Sequence, residues 1–338
     1  MGLDGVLVVD KPAGPTSHDV VALVRRLAAT RRVGHGGTLD PFASGVLPLF
    51  LGRATRLVEY HLGARKAYRA TVCFGASSTT DDLEGELTPV AAPAPDRPAV
   101  EAALPGLRGP LGQRPPAFSA VRVGGRRAYA LARAGEPPDL PDREVTIHRL
   151  ELIEWDASDP ERPIAVLDVE CSAGTYVRAL ARDLGAALGS AAYLGGLVRT
   201  ASGSFRLADA VRLDEVRAAA AEGIERLRAI LLPIDAGLDG LPRIGLSAMD
   251  AAAIVRGQFI RPPDGLRPAD DDAHLRLVDG SGRLVAIAGW RGGRLAPEKV
   301  LVDLPAPVER DGLLEGAAAS ERDPSAESDP DPVSPDDA

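Results

Sequence analysis

Residues 34–48 read Gly-His-Gly-Gly-Thr-Leu-Asp-Pro-Phe-Ala-Ser-Gly-Val-Leu-Pro, and no other segment of the 338-residue chain gathers so many conformationally special residues. The glycines indicate backbone that turns or approaches another group closely. Pro41 disfavours helical geometry at Asp40 and so restricts how its carboxylate is presented. The apolar run at 46–51 is suited to a buried element. The stretch therefore predicts a stiff loop that presents Asp40 and is anchored on the core.

The residues alone leave two interpretations of Asp40. A carboxylate beside a turn often caps a helix, whereas one held out on a stiff loop can also be a catalytic group. The pattern of the segment is Gly34-His35-x-Gly37-x-Leu39-Asp40-Pro41-x-Ala43-x-Gly45-x-Leu47-Pro48. In this pattern it resembles motif II of pseudouridine synthases, in the form found in the TruB family of bacterial tRNA pseudouridine-55 synthases. The resemblance implies that Asp40 is the essential catalytic residue, although Gly36 stands where the family usually has threonine.

The composition bounds the class of protein. With 45% hydrophobic residues, the chain can bury a sizeable core, and its length suggests about two domains. No apolar run approaches the length of a membrane span and no secretory signal is visible, so we expect a cytoplasmic protein. Cys73 and Cys171 lack metal-spaced partners and are expected to be small buried residues.

The net charge of -9 is unexpected for a protein that binds RNA, because phosphate contacts need Lys and Arg. Residues 306–338 contain ten acidic residues and two arginines, so the rest of the chain is close to neutral. A nearly neutral body can carry a basic face. We expect the tail at 305–338, rich in Asp, Glu, Pro, Ser and Ala, to be disordered.

Three segments in the first half of the chain contain further candidate residues. Lys11 would ordinarily be a solvated lysine, but Asp10-Lys11-Pro12-x-Gly14-x-Thr16-Ser17 resembles motif I of the family, whose lysine supports the catalytic loop. Tyr68, in a predicted strand at 66–74, resembles the family tyrosine that stacks on the target base and has been proposed as a proton acceptor. The polar loop at 77–85 resembles a family loop whose later aspartate organises the active site. Asp82 fits that position best, and the adjacent Asp81 leaves the register open by one residue.

Residues 113–133 contain five arginines, with Tyr129 among them. This composition indicates a surface for phosphate contact and base stacking, and a solvated helix face is the alternative. The segment resembles the family pattern Pro-Pro-x-x-Ser-Ala-x-Lys-x-x-Gly-x-x-x-Tyr, with Arg122 in place of lysine. The resemblance makes Arg122 and Tyr129 candidate substrate-binding residues.

A turn at 172–174 leads into a predicted helix, with Thr175 near its first turn and Gly185 as its stop. An arginine in such a helix is usually exposed. The segment Gly174-Thr175-Tyr176-x-Arg178-x-Leu180-x-x-Asp183-Leu184-Gly185 resembles motif III of the family. The resemblance implies that Arg178 pairs with Asp40 and lowers its pKa, and that Tyr176 lines the pocket.

Two further positions belong to the predicted pocket. Leu197 matches the apolar residue that closes the pocket in the family. Gly195 and Gly196 replace arginines that the family commonly has there, which removes the basis for expecting arginine-mediated contacts at this point. His35, a lone histidine, matches the motif II histidine that contacts rearranged RNA and is expected to fill the space left by a flipped base.

The resemblance covers about residues 1–235 and implies an α+β pseudouridine-synthase fold. We expect a mixed, mainly antiparallel central sheet flanked by helices. The catalytic domain is predicted at 1–240, with an RNA-contacting insertion at about 77–145. A small β-rich, PUA-like domain is predicted at 243–304, where residues 275–288 carry a hairpin signal around Asp-Gly-Ser-Gly.

The chain contains no P-loop, no dinucleotide fingerprint and no Cys/His metal spacing, so we expect neither a cofactor nor a metal. The resemblance implies isomerisation of uridine 55 in the T-arm of tRNA to pseudouridine. We expect a monomer with no obligatory protein partner and no membrane association.

Other classes of protein share parts of this pattern. A nucleoside hydrolase or glycosidase would use Asp40 together with a second carboxylate or a metal, and no motif supplies one. An RNA chaperone would need only the basic surface. A guide-dependent archaeal or eukaryotic synthase is the nearest alternative, and the short C-terminal domain and acidic tail argue against it.

Overall fold

The computed structural model describes residues 2–263, 266 and 273–303. The predicted acidic tail lies outside the described residues. The strands of the described chain are β1 (Gly5–Lys11), β2 (Val33–His35), β3 (Ser44–Leu51), β4 (Lys66–Phe74), β5 (Ala76–Ser78), β6 (Leu87–Pro89), β7 (Gly109–Gln113), β8 (Arg122–Val123), β9 (Arg126–Arg127), β10 (Arg143–Asp156), β11 (Ile164–Cys171), β12 (Ala192–Ser202), β13 (Phe205–Arg206), β14 (Val211–Arg212), β15 (Arg243–Gly245), β16 (Leu275–Val278), β17 (Leu284–Arg291) and β18 (Arg294–Val300). Its α-helices are α1 (Ser17–Leu27), α2 (Glu59–Leu62), α3 (Arg97–Ala103), α4 (Ala128–Arg133), α5 (Val177–Ala187), α6 (Leu213–Glu222), α7 (Ile224–Ala229) and α8 (Ala248–Val255).

Ten strands form one mixed sheet in the order β14-β1-β3-β12-β4-β11-β10-β7, with β2 paired to β3 and β13 to β12. The β1–β14 and β3–β12 pairs are parallel, and the other pairs are antiparallel. Helices α1 and α5 flank the sheet. The predicted mixed, mainly antiparallel sheet of an α+β protein is therefore confirmed.

Strands β1 and β3 are buried on both faces. On one face, Leu7, Leu47 and Leu49 belong to a cluster that includes residues of α1 and α6. On the other face, Val8 and Phe50 pack in a separate cluster. A strand covered on both sides needs an apolar residue at nearly every position, which explains the continuous apolar run after the Asp40 loop. This buried pair is a rigid base for the loop that joins β2 to β3.

Helix α5 begins and ends later than the sequence predicts. Thr175 lies outside the helix, since its Oγ1 donates to the carbonyl of Ser172 at 3.0 Å and the helix begins at Val177. Gly185 does not end the helix. A Cβ atom there would lie only 2.3 Å from the backbone nitrogen of Ala192, so the glycine allows α5 to pack closely against the start of β12. This packing holds the first turn of α5 beside the sheet.

The predicted insertion is only partly separate from the central sheet. Strand β7 pairs with β10 at the sheet edge and so belongs to the sheet. Beyond it, the β8–β9 ribbon and α4 surround a small core of Val121, Ala128 and Leu140. We refer to residues 114–134 as the insertion wall.

The C-terminal part of the described chain forms a second sheet in the order β15-β16-β17-β18. The β16–β17 hairpin matches the predicted Asp-Gly-Ser-Gly turn. Leu57 and Leu238 from the first part pack with Val278 and Ile287 of this sheet. The β-rich character fits a PUA-like domain, and its exact boundaries stay a prediction. Over the described ranges, no helix combines the length and the apolar character that crossing a membrane requires.

Candidate active site

The loop that presents Asp40 is fixed by its own backbone. Ser17 Oγ at the start of α1 accepts from Leu39 N at 2.9 Å and donates to Leu39 O at 3.0 Å. On the other side of Asp40, the carbonyl of Pro41 accepts from Gly14 N at 2.8 Å. Because both neighbours of Asp40 are bonded, the direction of its side chain is set by the loop.

Arg178, in the first turn of α5, makes five polar contacts. Its Nε lies 3.1 Å from Asp40 Oδ2, and Nη2 lies 3.5 Å from Asp40 Oδ1. Its Nη1 lies 3.1 Å from Asp82 Oδ2 and donates to Thr80 O at 3.1 Å, while Nη2 also donates to Phe118 O at 3.0 Å. A guanidinium has five N–H donors in one rigid plane, so five contacts fix its orientation. Arg178 thereby joins three separate loops behind the Asp40 carboxylate.

Asp82 is the aspartate of the polar loop that reaches Arg178. Its side chain is only 3% exposed, and its Oδ1 accepts from Thr80 Oγ1 at 2.5 Å and from Glu84 N at 3.0 Å. The neighbouring Asp81 instead contacts Arg182, with Oδ2 2.8 Å from Nη1. Of the two aspartates, Asp82 is the one that forms an ion pair with the arginine that holds Asp40, and its role in the active site stays a prediction.

Lys11, at the end of β1, is completely buried beneath the Asp40 loop. Its Nζ donates to the carbonyls of Ala43 at 2.7 Å, Pro12 at 2.9 Å and Pro41 at 3.2 Å. Burial lowers the pKa of Lys11 to about 8, and the attraction of Asp40 acts in the opposite direction. The ammonium group therefore binds the end of β1 to the part of the loop that follows Asp40.

Arg199 of β12 is a second buried cation, and the sequence reasoning did not identify it. It is 1% exposed, and its guanidinium donates to Val46 O at 2.7 Å, Gly37 O at 3.0 Å and Thr38 O at 3.3 Å. Arginine-mediated contacts thus exist here despite the two glycines upstream. Residues two apart share one face of a strand, so the spacing from Leu197 was a signal that Arg199 points inward.

A cavity of about 460 Å³ opens beside Asp40. Its lining includes six of the predicted site residues: Asp40, Tyr68, Tyr129, Tyr176, Arg178 and Leu197. Aromatic and apolar walls around one carboxylate suit a planar heterocycle attached to a sugar. A larger open groove of about 670 Å³ between α1 and α6 contains none of the predicted site residues.

The titration of the cavity residues is dominated by burial. Burial raises the pKa of Asp40, Arg178 lowers it, Asp82 raises it further and Lys11 again lowers it, with a net increase. Arg178 thus lowers the pKa of Asp40 as expected, but burial outweighs it, and the net pKa is raised. Burial also raises the pKa of Tyr68, so its phenol stays protonated at neutral pH.

Comparisons with known proteins identify the family. Residues 25–177 match the family described as "TruB family pseudouridylate synthase (N terminal domain)", and residues 178–239 match "tRNA pseudouridylate synthase B C-terminal domain". The chain is 42% identical to a tRNA pseudouridine synthase B of Bradyrhizobium diazoefficiens, over 88% of this chain and 85% of that protein. The chain belongs to the TruB family of pseudouridine synthases. A tRNA pseudouridine synthase B of Synechococcus sp. is 43% identical to this TruB-family chain, over 90% of this chain and all of that protein.

Solved structures agree with this family assignment. A chain in "Crystal Structure of a Cbf5-Nop10-Gar1 Complex" matches with a TM-score of 0.69 and 26% identity, over 89% of this chain and 86% of that chain. A chain in "Structure of H/ACA RNP bound to a substrate RNA containing 2'-deoxyuridine" matches with a TM-score of 0.67 and 25% identity, over the same shares. The prediction of a pseudouridine-synthase fold is confirmed, and the TruB-family chain is an isomerase.

Four predicted site residues of this TruB-family chain lie outside the cavity lining. Lys11 and Asp82 lie behind it, as described above. His35 is partly buried, packs edge-on against His18 with ring centres 5.5 Å apart, and accepts from Gly37 N at 3.4 Å. Arg122 is exposed on β8. The RNA-contacting roles of His35 and Arg122 stay predictions.

The described part of the TruB-family chain shows no cluster of three or more His, Cys, Asp or Glu side chains arranged to hold a metal ion.

Proposed function

We propose that this TruB-family chain isomerises uridine 55 in the T-arm of tRNA to pseudouridine, with Asp40 as the catalytic carboxylate. The observation that carries the proposal is the position of Asp40, whose carboxylate faces a cavity with three tyrosines in its lining and is held from behind by Arg178. The relatives from Bradyrhizobium and Synechococcus, both named tRNA pseudouridine synthase B, support tRNA as the substrate. The choice of uridine 55 rests on the motif resemblance.

The reaction breaks the N1–C1′ bond of the uridine, turns the uracil, and forms a bond between C5 and C1′. The proton on C5 is lost to solvent and N1 regains a proton, so the reaction is an isomerisation with no net addition. Positive charge develops at the sugar as the first bond breaks, and a carboxylate beside C1′ stabilises it. Asp40 acts in its ionised form, either by attack on C1′ or by removal of a sugar proton in a glycal route.

Arg178 has two functions in this proposal. It attracts the negative charge of Asp40, which opposes the increase in pKa that burial causes. Its two contacts to Asp40 also fix both carboxylate oxygens, so the group that meets C1′ needs little reorganisation during the reaction.

The aromatic residues receive the base. A uridine in a folded T-arm must leave its stack before Asp40 can reach C1′. Tyr68 and Tyr176 line the cavity together with Leu197 and Asp40, and their rings offer stacking surfaces to a planar base. His35 is proposed to occupy the space left in the RNA.

The hydrolase alternative is less well supported by the geometry. A glycoside hydrolase uses two carboxylates that both face the scissile bond. Asp82 is the candidate for a second carboxylate. Its side chain is only 3% exposed, and its oxygens already contact Arg178, Thr80 and Glu84. A cavity with one available carboxylate favours transfer of the base back to the sugar.

A guide-dependent synthase is the nearest alternative. The curated relatives named tRNA pseudouridine synthase B are 42% and 43% identical over most of the chain, whereas the two structural matches from ribonucleoprotein complexes are 25% and 26% identical. The higher identity supports a stand-alone enzyme on tRNA.

The test uses unmodified tRNA transcript labelled with tritium at C5 of uridine. The pure protein alone, in buffer containing EDTA, is expected to release one tritium per tRNA, with pseudouridine mapped at position 55. A transcript with uridine 55 replaced by cytidine is the control and should release none. Free uracil in place of pseudouridine would identify a hydrolase, and a requirement for a guide RNA would identify the other synthase class.

A further inference from the structure

A second arginine on α5, Arg182, lies one helical turn after Arg178 on the same face. Its Nη1 lies 2.8 Å from Asp81 Oδ2, and its Nη2 donates to the carbonyl of Arg114 at 2.8 Å. The Nε and Nη2 groups also contact Asp183 Oδ1 at 3.0 and 2.9 Å. Arg182 is thus held by two carboxylates while it grips the first residue of the insertion wall.

The contacts of Arg182 repeat those of Arg178. Each arginine binds one of two consecutive aspartates in the polar loop and one carbonyl of the insertion wall. For Arg178 these are Asp82 and Phe118, at 3.1 and 3.0 Å. The two arginines differ at the cavity, since Arg178 reaches Asp40 and lines it, whereas Arg182 is not among its lining residues.

The backbone of Asp81 is shaped for this double contact. Its φ of +61° lies in the left-handed region that non-glycine residues rarely adopt. The turn allows the side chains of Asp81 and Asp82 to reach two arginines. The turn is anchored on β12, because Leu194 N donates to Asp81 O and Leu83 N donates to Leu194 O, both at 3.0 Å. These hydrogen bonds hold the uncommon backbone conformation in place.

The start of the insertion wall is hydrogen-bonded to the first half of α5 and to the residue before it. Gln113, immediately before it, is 1% exposed; it donates to Tyr176 O at 3.1 Å and accepts from Tyr176 N at 2.8 Å. The carbonyls of Arg114 and Phe118 then bind Arg182 and Arg178. The residues of the wall that follow and line the cavity are Ser119, Ala120, Arg127 and Tyr129. These hydrogen bonds therefore fix the position of the insertion wall relative to the cavity.

We propose that Arg182, with Asp81, is a positioning residue. It holds the insertion wall against α5, so that the wall is already in its RNA-binding position before tRNA binds. The inference rests on the proposed function only in taking the cavity as the uridine site. Without this pair, the insertion wall becomes ordered only when RNA binds, and the free-energy cost of this ordering weakens the binding of tRNA. The Asp40–Arg178 contact is left intact, so the chemical step is unaffected.

Kinetics test the proposal first. Arg182→Gln is expected to raise KM for tRNA about tenfold with kcat within about twofold of the parent. Asp81→Asn should give the same result. The double variant should be no worse than either single variant, because Asp81 acts on the insertion wall only through its ion pair with Arg182. Arg182→Lys, which keeps the charge opposite Asp81, should restore part of the loss. A fall in kcat at unchanged KM, or additive effects in the double variant, would overturn the proposal.

Limited proteolysis is the second readout and needs no substrate. The insertion wall carries exposed arginines at 122, 126, 127 and 133, each a trypsin site. Arg182→Gln and Asp81→Asn should be cut there about tenfold faster than the parent at an unchanged melting temperature. Arg97→Gln, which breaks the exposed Arg97–Glu101 pair in α3, is the matched control and should behave like the parent.

The two readouts separate this inference from the proposed function. Faster cleavage of the wall without any action on tRNA would leave the positioning role standing and refute the proposed function. Normal tritium release with unchanged KM and unchanged cleavage would refute the positioning role alone.

Discussion

The Asp40 loop, residues 37–46, and the insertion wall both depend on basic side chains, but they use them in opposite ways. In the loop, five backbone carbonyls accept hydrogen bonds from Lys11 or Arg199, and both cations are almost completely buried. In the insertion wall all five arginines are exposed. One of them, Arg133, lies over the ring of Tyr129 at 4.9 Å.

The difference shows how burial determines what a cation can do. A buried cation must have its donors satisfied within the protein, so its N–H groups fix the backbone around it. An exposed arginine keeps its hydration and can exchange it for a phosphate. The loop is therefore expected to control the chemical step, and the wall is expected to control affinity for RNA.

The largest expected effect belongs to Asp40. Asp40→Asn keeps the size of the side chain but removes the charge that acts on the sugar, so turnover should fall by more than about a thousandfold. Binding of tRNA, measured by filter retention, should stay within about threefold. Substantial turnover by this variant would exclude Asp40 as the catalytic carboxylate.

Arg178→Lys should be the next most damaging change. Lysine keeps the positive charge but cannot form the planar set of five contacts, so we expect about a hundredfold lower kcat. Combined with Asp40→Asn it should add little, since the two residues act as a unit. Single-turnover kinetics on the three variants measure this coupling, and full additivity would contradict it.

Arg199→Met tests the role of a buried cation that holds the Asp40 loop without contacting the Asp40 carboxylate. Three carbonyls of the Asp40 loop would lose their donor, which should lower the free energy of unfolding by about 3 kcal/mol and kcat by about thirtyfold. Arg69→Met is the control: Arg69 lies on the adjacent β4, is half-exposed and pairs with Asp168, so this change should lower the free energy of unfolding far less. Urea denaturation measures both, and equal losses would contradict the distinction between buried and exposed cations.

The pH dependence of kcat/KM reports the pKa of Asp40 in the loop. Activity requires ionised Asp40, so it is full above the pKa of this group and falls about tenfold per pH unit below it. Because the net pKa is raised from 3.8, the acid limb should lie above that value. Lys11→Met removes a cation that lowers the pKa and should move the limb to higher pH. An acid limb at or below 3.8 in protein that circular dichroism shows to be folded would refute the raised pKa.

The smallest effect is expected in the insertion wall. Arg122→Gln should weaken tRNA binding about threefold at low salt and reduce the slope of log K against log salt by about one, because one phosphate contact is lost. Its kcat should be unchanged. A fall in kcat would mean that the wall also takes part in the chemical step.

The sequence by itself determined the parts that follow from local pattern. The composition of 66–74 identified β4, the apolar run after Asp40 identified a buried element, and the Asp-Gly-Ser-Gly turn identified the β16–β17 hairpin. The glycines and Pro41 marked the loop, and three motifs in family order identified the family. Side-chain period and turn chemistry act over a few residues, so they can be read without the fold.

The tertiary structure alone decided the acceptors of two further arginines. Arg182 and Arg199 were not identified from the sequence, and their acceptors at Asp81 and Gly37 lie 101 and 162 residues away. The net direction of the pKa of Asp40 also required the structure, because burial and charge oppose each other there and only the packed environment sets their balance. Contacts between segments distant in the chain exist only after the sheet has assembled, and so no local pattern encodes them.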